Sequence, residues 1–396
     1  MFETLRPPPQ DPIITLMGQF ATDPRTDKID LGVGVYRDTA GHTPVMRAVT
    51  AAEARVLHNQ TTKTYFGLGG DPAFLVAMRG LVLGEAVAAD RVAAVATPGG
   101  SGAIRQIMEL VRAARPTATI WISDPSWPNH AAIAATLGLS QRSYRFLDRG
   151  TGLVDGAAML ADLAQAVPGD VVLLHACCHN PTGADPSAED WAALAGLCAA
   201  RGLVPFIDVA YQGFGAGIEE DAVALRSMAA AMPEMLIAAS GSKTFGLYRE
   251  RVGMAAVVCP DAETAGRMGA MLATLNRQNF AFPPDHGARV VQTVLGDKAL
   301  RADWLAELDT MRARIGANRV ALAGALRQQT QSARFDFLTA HRGMFSLMGL
   351  SEAQTERLRI EHGIYLVSDG RANLAGLRES QAEVVARAIA TVIGSP

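Results

Sequence analysis

The 396-residue sequence has little of several things, and each scarcity narrows what the chain can be. It has four cysteines, Cys177, Cys178, Cys198 and Cys259, two of them adjacent and none in a framework spacing, so neither a disulfide scaffold nor paired C-x-x-C metal hooks are expected. No apolar run reaches the ~18 residues of a membrane span, and the proline-rich start lacks the apolar core of a signal peptide, so membrane association is not expected and the cytoplasm is. With 36 basic against 39 acidic residues mixed along the length, no polybasic stripe is available for nucleic acid. Lysine is the scarcest charge: Lys28, Lys63, Lys243 and Lys298 stand against 32 arginines, so a lysine inside an apolar segment is a candidate for chemistry.

What is present is an ordinary globular balance, 49% hydrophobic and 19% charged, over a length that favours two domains. Residues 31–36 read as a short strand or extended segment broken by glycines, and residues 50–57 as a helix. From about residue 90, short apolar runs at 93–96, 119–122, 171–175, 203–207, 235–239 and 254–258 alternate with helical stretches, predicting an α/β fold with a mostly parallel sheet covered on both faces. From about 301 a long charged helical pattern leads to strand candidates at 343–347 and 364–367, which reads as a second, smaller α/β domain. In parallel sheets ligands collect beyond the carboxyl ends of the strands, so the residues following each apolar run matter most.

Four clusters lie there. Ser240-Gly241-Ser242-Lys243-Thr244-Phe245-Gly246 follows one apolar run and precedes Arg251; a desolvated Lys243 has the lowered pKa that a nucleophilic amine needs, and the hydroxyls with Arg251 suit a phosphate. The same residues also fit an exposed lysine in a Ser/Gly loop. Thr97-Pro98-Gly99-Gly100-Ser101 opens a helix pattern at 104–113 and can bind an anion there, although glycine turns between strand and helix are common and the spacing is neither a dinucleotide fingerprint nor a Walker loop. Asp208-Val209-Ala210-Tyr211 offers a buried carboxylate for a protonated pyridine nitrogen and a phenol for a ring oxygen, or simply a helix cap. In His175-Ala176-Cys177-Cys178-His179-Asn180-Pro181, zinc would need Cys177, Cys178 and His179 to converge, and neighbours on an extended chain point to opposite faces, so no metal is expected and Asn180 is the better ligand-binding candidate. Trp127 is either a plate for a planar ring or core.

The order of these motifs resembles the class I aspartate and aromatic amino-acid aminotransferases over nearly the whole chain. The stretches that carry the resemblance are residues 32–36, 62–65, 97–100, 125–129, 177–183, 210–214, Lys243, 245–253 and Gly370-Arg371. It implies the pyridoxal-phosphate-dependent transferase fold (fold type I): an N-terminal arm (1–12), a large domain (43–305) around a seven-stranded, mostly parallel sheet, and a small α/β domain (13–42 with 306–396).

It also implies that pyridoxal 5'-phosphate is held as a Schiff base on Lys243, with Asp208 on the ring nitrogen, Asn180 and Tyr211 on the ring hydroxyl and Trp127 stacked on the ring. Phosphate would rest on Gly100, Ser101, Ser240, Ser242 and Arg251, completed by Tyr65 of a neighbouring subunit, which implies a homodimer with shared active sites. Arg371 would grip the substrate α-carboxylate, aided by Gly34, Trp127 and Asn180, and Arg277 would come from the partner to meet a side-chain carboxylate. The implied reaction is ping-pong transamination from an amino acid to 2-oxoglutarate, the carboxylate clamp arguing against a decarboxylase. Thr64, Ser101 and Phe280-Ala281-Phe282 depart from the aspartate-specific pattern and lean towards aromatic donors, with aspartate aminotransferase as the alternative. Gly241 and Thr244 also depart from the pattern, with no effect assigned.

Overall fold

The structure, a computed structural model, describes residues 2–6 and 10–394, so Pro7, Pro8 and Pro9 of the expected arm lie outside the described residues. The chain opens with α1 (Pro12–Thr22), started by Asp11, whose carboxylate accepts from Ile13 and Ile14 N–H with Pro12 in the first turn. β1 (Ile29–Asp30) follows, then α2 (Arg47–Asn59) and α3 (Pro72–Leu83), the latter capped by Asp71. The extended segment expected at 31–36 is not a strand. The strand stops at Asp30, whose Oδ1 accepts from Gly32 N–H, while Asn373 donates to the Val33 and Val35 carbonyls, so a side chain takes the bonds a ladder would have used.

The large sheet is built from β2 (Val92–Pro98), α4 (Gly99–Ala114), β3 (Thr119–Asp124), α5 (Pro128–Thr136), β4 (Ser140–Arg145), α6 (Gly156–Leu163), β5 (Val171–His175), α7 (Ala188–Arg201), β6 (Val204–Val209), α8 (Val223–Ala231), β7 (Met235–Ser240) and β8 (Val252–Val258). Its seven strands run in the order β2-β8-β7-β6-β5-β3-β4, parallel except for β8, which is antiparallel to both neighbours. The expected mostly parallel α/β sheet is therefore present. β5, β7 and β8 are buried at every position, as strands covered on both faces must be. β4 was missed from sequence because it is an edge strand whose residues, apart from Tyr144, are exposed and polar.

After β8 come α9 (Ala262–Asn279), α10 (His286–Gly296) and the 33-residue α11 (Lys298–Thr330), a continuous helix that runs through residues 305 and 306. The remainder is β9 (Phe345–Leu347), α12 (Glu352–His362), β10 (Ile364–Tyr365), β11 (Arg371–Asn373) and α13 (Ala382–Gly394). β1 pairs in parallel with β10, and β9 pairs antiparallel with β11. The strand expectations at 343–347 and 364–367 shorten to three and two residues; Gly343, at φ 73, bends the chain before β9 can begin. Ile29, Leu31, Leu322, Leu326, Leu358, Ile364 and Ile389 form an apolar core of their own, distinct from the two cores on either face of the large sheet.

Two residues of α11 tie these parts together. Trp304, fully buried, donates to the Thr244 carbonyl at 2.8 Å and stacks on Phe245, and Arg319 donates to the carbonyls of Gly343 and Phe345 at 2.7 and 2.6 Å.

Candidate active site

The parallel strands β2, β3, β5, β6 and β7 all end at one edge of the sheet, so Gly100, Trp127, Asn180, Asp208, Tyr211 and Lys243 are delivered to the same place by topology alone. Arg251 reaches that edge for the opposite reason: it precedes β8, which runs in reverse, so the start of β8 lies beside the ends of its neighbours. One cavity is lined by Gly34, Gly100, Ser101, Trp127, Asn180, Asp208, Tyr211, Ser240, Ser242, Lys243 and Arg251, together with Ile104, His175, Ala210 and Tyr248.

Lys243 sits over the Tyr211 ring, its Nζ 5.1 Å from the centroid. Burial lowers its pKa below the usual lysine value, Asp208 opposes that shift and Arg251 adds to it. Thr244, the unassigned departure, donates to the Gln212 carbonyl at 2.9 Å and so fastens the Lys243 turn to the Tyr211 turn.

Asp208 lies inside β6 and caps no helix. Its Oδ2 is 2.9 Å from His130 Nε2, and His130 Nδ1 is 3.0 Å from the Ser126 hydroxyl. Burial alone would raise the Asp208 pKa, but the His130 hydrogen bond and the nearby cationic groups outweigh it and hold the carboxyl below its ordinary value. Both nitrogens of His175 are buried without a partner, and burial brings its pKa down to about 3, so it stays neutral. Burial also pushes the Tyr211 phenol upward, keeping it a hydrogen-bond donor at neutral pH.

The N-terminus of α4 is an anion cradle. Pro98, its cap residue, supplies no side-chain acceptor, which leaves first-turn N–H groups and the positive helix end unanswered. Arg251 closes the cradle: its guanidinium donates to Ser242 Oγ at 3.3 Å, and Ser240 Oγ accepts from Ser242 N–H at 3.2 Å. A Cβ on Gly99 would come within 2.5 Å of the Arg251 guanidinium and one on Gly100 within 2.9 Å of the Ser240 side chain, so glycine lets these groups close on the helix end. A phosphate beside an amine, with a carboxylate further along, fits pyridoxal phosphate, whose poles are a phosphate, an aldehyde and a ring nitrogen.

Arg371, on β11, is 4% exposed and donates to Asn180 Oδ1 at 3.2 Å. Its Nε has no partner, its guanidinium lies 4.6 Å from the Phe345 ring centroid, and no carboxylate pairs with it among the described residues. A buried cation with donors to spare can accept a carboxylate. A Cβ on Gly34 would stand 2.8 Å from Phe345, so glycine keeps that loop against the same ring.

Two of the expected site residues are not brought to this cavity. Tyr65, 81% exposed, stacks on Phe282 at 4.4 Å, and Arg277 is exposed on α9. The extended backbone expected at Cys177 and Cys178 is not what the chain adopts. Cys178 has φ 53, and the two thiols and the Asp221 carboxylate fall within 4.8 Å of one another. His179 is elsewhere, 3.0 Å from Ser123 Oγ and stacked on Phe146. Sequence reasoning assigned no role to His130, His175 or Tyr248; the signal for His130 is its place three residues after Trp127, one turn into α5.

The family described as aminotransferase class I and II matches residues 26–389. The chain is 51% identical to the aromatic-amino-acid aminotransferase of Paracoccus denitrificans, over 99% of this chain and all of that one. It is 43% identical to the aspartate aminotransferase of Salmonella typhi, over 99% and 100%. A solved aromatic-amino-acid aminotransferase from Burkholderia pseudomallei, covalently bound to pyridoxal phosphate, superposes with a TM-score of 0.96 at 42% identity, covering 99% of both chains. A family model that spans most of the chain, and relatives matched along their whole length, show that the chain belongs to the class I and II aminotransferases.

Proposed function

We propose that this chain is an aromatic-amino-acid aminotransferase that uses pyridoxal 5'-phosphate and passes the amino group to 2-oxoglutarate. The observation that carries the carboxylate-substrate reading is Arg371, buried with an unpartnered Nε beside Asn180 of the lysine cavity. When bound, pyridoxal phosphate supplies an electron sink for the carbanion left when the α-proton departs. The chain's own groups do the rest. Gly100, Ser101, Ser240, Ser242 and Arg251 would hold its phosphate, Asp208 would keep its ring nitrogen protonated, Tyr211 and Asn180 would donate to its ring oxygen, and Trp127 would cover the ring.

Arg371 fixes the α-carboxylate, with Asn180, Trp127 and the backbone at Gly34 around it, which orients the α-hydrogen. Lys243 Nζ, whose lowered pKa leaves more of it neutral, is the base that takes the α-proton and the acid that returns it to a different carbon. Running the same steps backwards on the second 2-oxo acid completes a ping-pong cycle.

For the partner subunit, the support is that Tyr65 and Arg277 lie outside their own chain's cavity while Tyr65 and Phe282 stack at an exposed position, the arrangement a homodimer sharing residues between sites requires. We take residues 13–42 with 306–396 as the small domain, whose separate apolar core supports the division. All four cysteines are free, in keeping with a reducing cytoplasm. No helix among the described residues is long and apolar enough to cross a membrane.

The aromatic preference rests on the 51% identical relative and on Phe282, an apolar ring on Tyr65 at the end of the helix that carries Arg277. The alternative, aspartate aminotransferase, is favoured by the presence of Arg277 itself. Initial rates with phenylalanine and with aspartate, each with 2-oxoglutarate, separate them: turnover of both is expected, and near-zero phenylalanine turnover gives the second reading.

A further inference from the structure

The Cys177–Cys178 pair has no place in the reaction, yet it is built like a ligand site. Both thiols are buried, and their sulfurs lie within 4.8 Å of each other and of an Asp221 carboxylate oxygen. Cys177 and Asp221 border a cavity of about 530 Å³ between α7 and α8, walled by Trp191, Ala195, Ala224 and Met228, which shares no lining residue with the Lys243 cavity.

The donor set decides the ligand. Asp221 is committed elsewhere: its Oδ2 accepts from Gly213 and Gly215 N–H at 2.7 and 2.9 Å and its Oδ1 from Ala216 N–H at 2.7 Å. Two thiols without a free third donor cannot complete the tetrahedral shell of a structural zinc ion. They suffice for a centre that needs only two sulfurs and keeps a carbon substituent of its own, and the apolar walls suit that substituent.

We propose that Cys177 and Cys178 form a chelating site for organic trivalent arsenicals, and that filling it inactivates the enzyme. With an arsenoxide R–As=O, two As–S bonds form, the As=O bond breaks, and both thiol protons leave with the oxygen as one water. Arsenic stays trivalent, so no oxidant or reductant is consumed. The neighbouring Cys178 thiol and burial hold the Cys177 pKa well above the usual thiol value, and burial pushes Cys178 up to about 11, so both thiols are protonated at neutral pH and supply the two protons that leave as water.

Inactivation follows from what the pair is attached to. Asp185 accepts from Cys178 and His179 N–H at 2.8 and 3.0 Å, and the next residue is Asn180, the partner of Arg371. On the other side, the close approach of Gly343 to Cys178 leaves no room for the backbone to retreat, since even a Cβ there would stand 2.3 Å away. Drawing the sulfurs onto one centre therefore displaces Asn180.

The test is titration of the holoenzyme with phenylarsine oxide, followed by intact mass, thiol count and activity. The expected result is one adduct and two lost thiols per chain, activity falling in parallel, and recovery with 2,3-dimercaptopropanol but not with an equivalent monothiol. Cys177→Ser and Cys178→Ala should each need at least 10-fold more reagent, whereas Cys198→Ser and Cys259→Ser should behave as the parent. A loss of activity in either site variant before reagent is added does not matter, because the mass and thiol counts read binding directly. An adduct that persists in Cys177→Ser and Cys178→Ala, an adduct formed only by unfolded chain, or full activity in the adduct overturns the proposal.

Discussion

Replacing Arg371 by leucine separates function from stability in a way the geometry forces. Two charge-assisted hydrogen bonds from a guanidinium to a carboxylate contribute roughly 1.5–3 kcal/mol each, so their loss should lower kcat/KM by about 10² to 10⁴-fold. The loss should appear for the amino acid and for the 2-oxo acid alike, since both present the same carboxylate. Stability should not follow. Arg371 is a buried cation with no carboxylate partner, and its Nε is unsatisfied. Leucine removes its desolvation cost of several kcal/mol and forfeits a 3.2 Å hydrogen bond to Asn180 together with the contact over Phe345, a loss of about 1–3 kcal/mol. The melting temperature of the cofactor-free variant should therefore be equal to or above the parent's. Arg371→Lys, keeping charge but not the fork, should fall between the two in kcat/KM. Steady-state rates with both substrates and a thermal scan check this; an unchanged kcat/KM would refute the receptor role, and a variant that melts well below the parent would refute the claim that this cation is held at a cost.

Other perturbations probe the remaining parts of the site. His130→Phe removes the 2.9 Å partner of Asp208, whose pKa then rises under burial, so the acid limb of the kcat/KM profile should move to higher pH; an unmoved limb contradicts the assigned role. Gly99→Ala places a Cβ 2.5 Å from the Arg251 guanidinium at a φ of 72, and titration of the cofactor-free chain should show at least ~10-fold weaker pyridoxal phosphate binding. Acid should destabilise the fold. His175 and His341 are depressed from 6.5 to about 3 and about 4 by burial, so the unfolded chain binds protons that the folded one refuses, and their contribution is complete above pH 6.5 and declines as pH falls towards those values. Asp185, raised to about 6 by burial, works the other way between 3.8 and 6. His179, which burial also holds well below its ordinary value, acts with the same sign, so from pH 7 to 5 the three histidines outweigh Asp185 and urea unfolding should show a net loss of several kcal/mol; equal stability at the two pH values would mean these groups are not buried as described.

Much of the site was legible because topology does the assembling. Asn180, Asp208 and Lys243 each follow a run of apolar residues, and a parallel sheet delivers strand ends to one edge, so their meeting could be inferred without coordinates. Arg251 obeys the same logic only once β8 is known to run backwards, which no local pattern reveals. The weaker signals belonged to residues whose patterning is overridden by tertiary context. β4 is an exposed edge, and the strand that carries Arg371 is three residues of mixed polarity, stabilised by pairing with β9. His130 lies on a helix, not at a strand end, and its partnership with Asp208 spans 78 residues, so only its place three residues after Trp127 points to it. Adjacent side chains point apart only on extended backbone, and at Cys178 the chain turns into the left-handed region.

The proposed function requires that Lys243, among the four lysines, carries the cofactor. Borohydride reduction of the pyridoxal-phosphate-loaded protein, followed by peptide mass mapping, tests it directly. One phosphopyridoxyl label per chain on the peptide containing Lys243, absent from Lys243→Ala, is the predicted result; a label on Lys28, Lys63 or Lys298, or none at all, would contradict it.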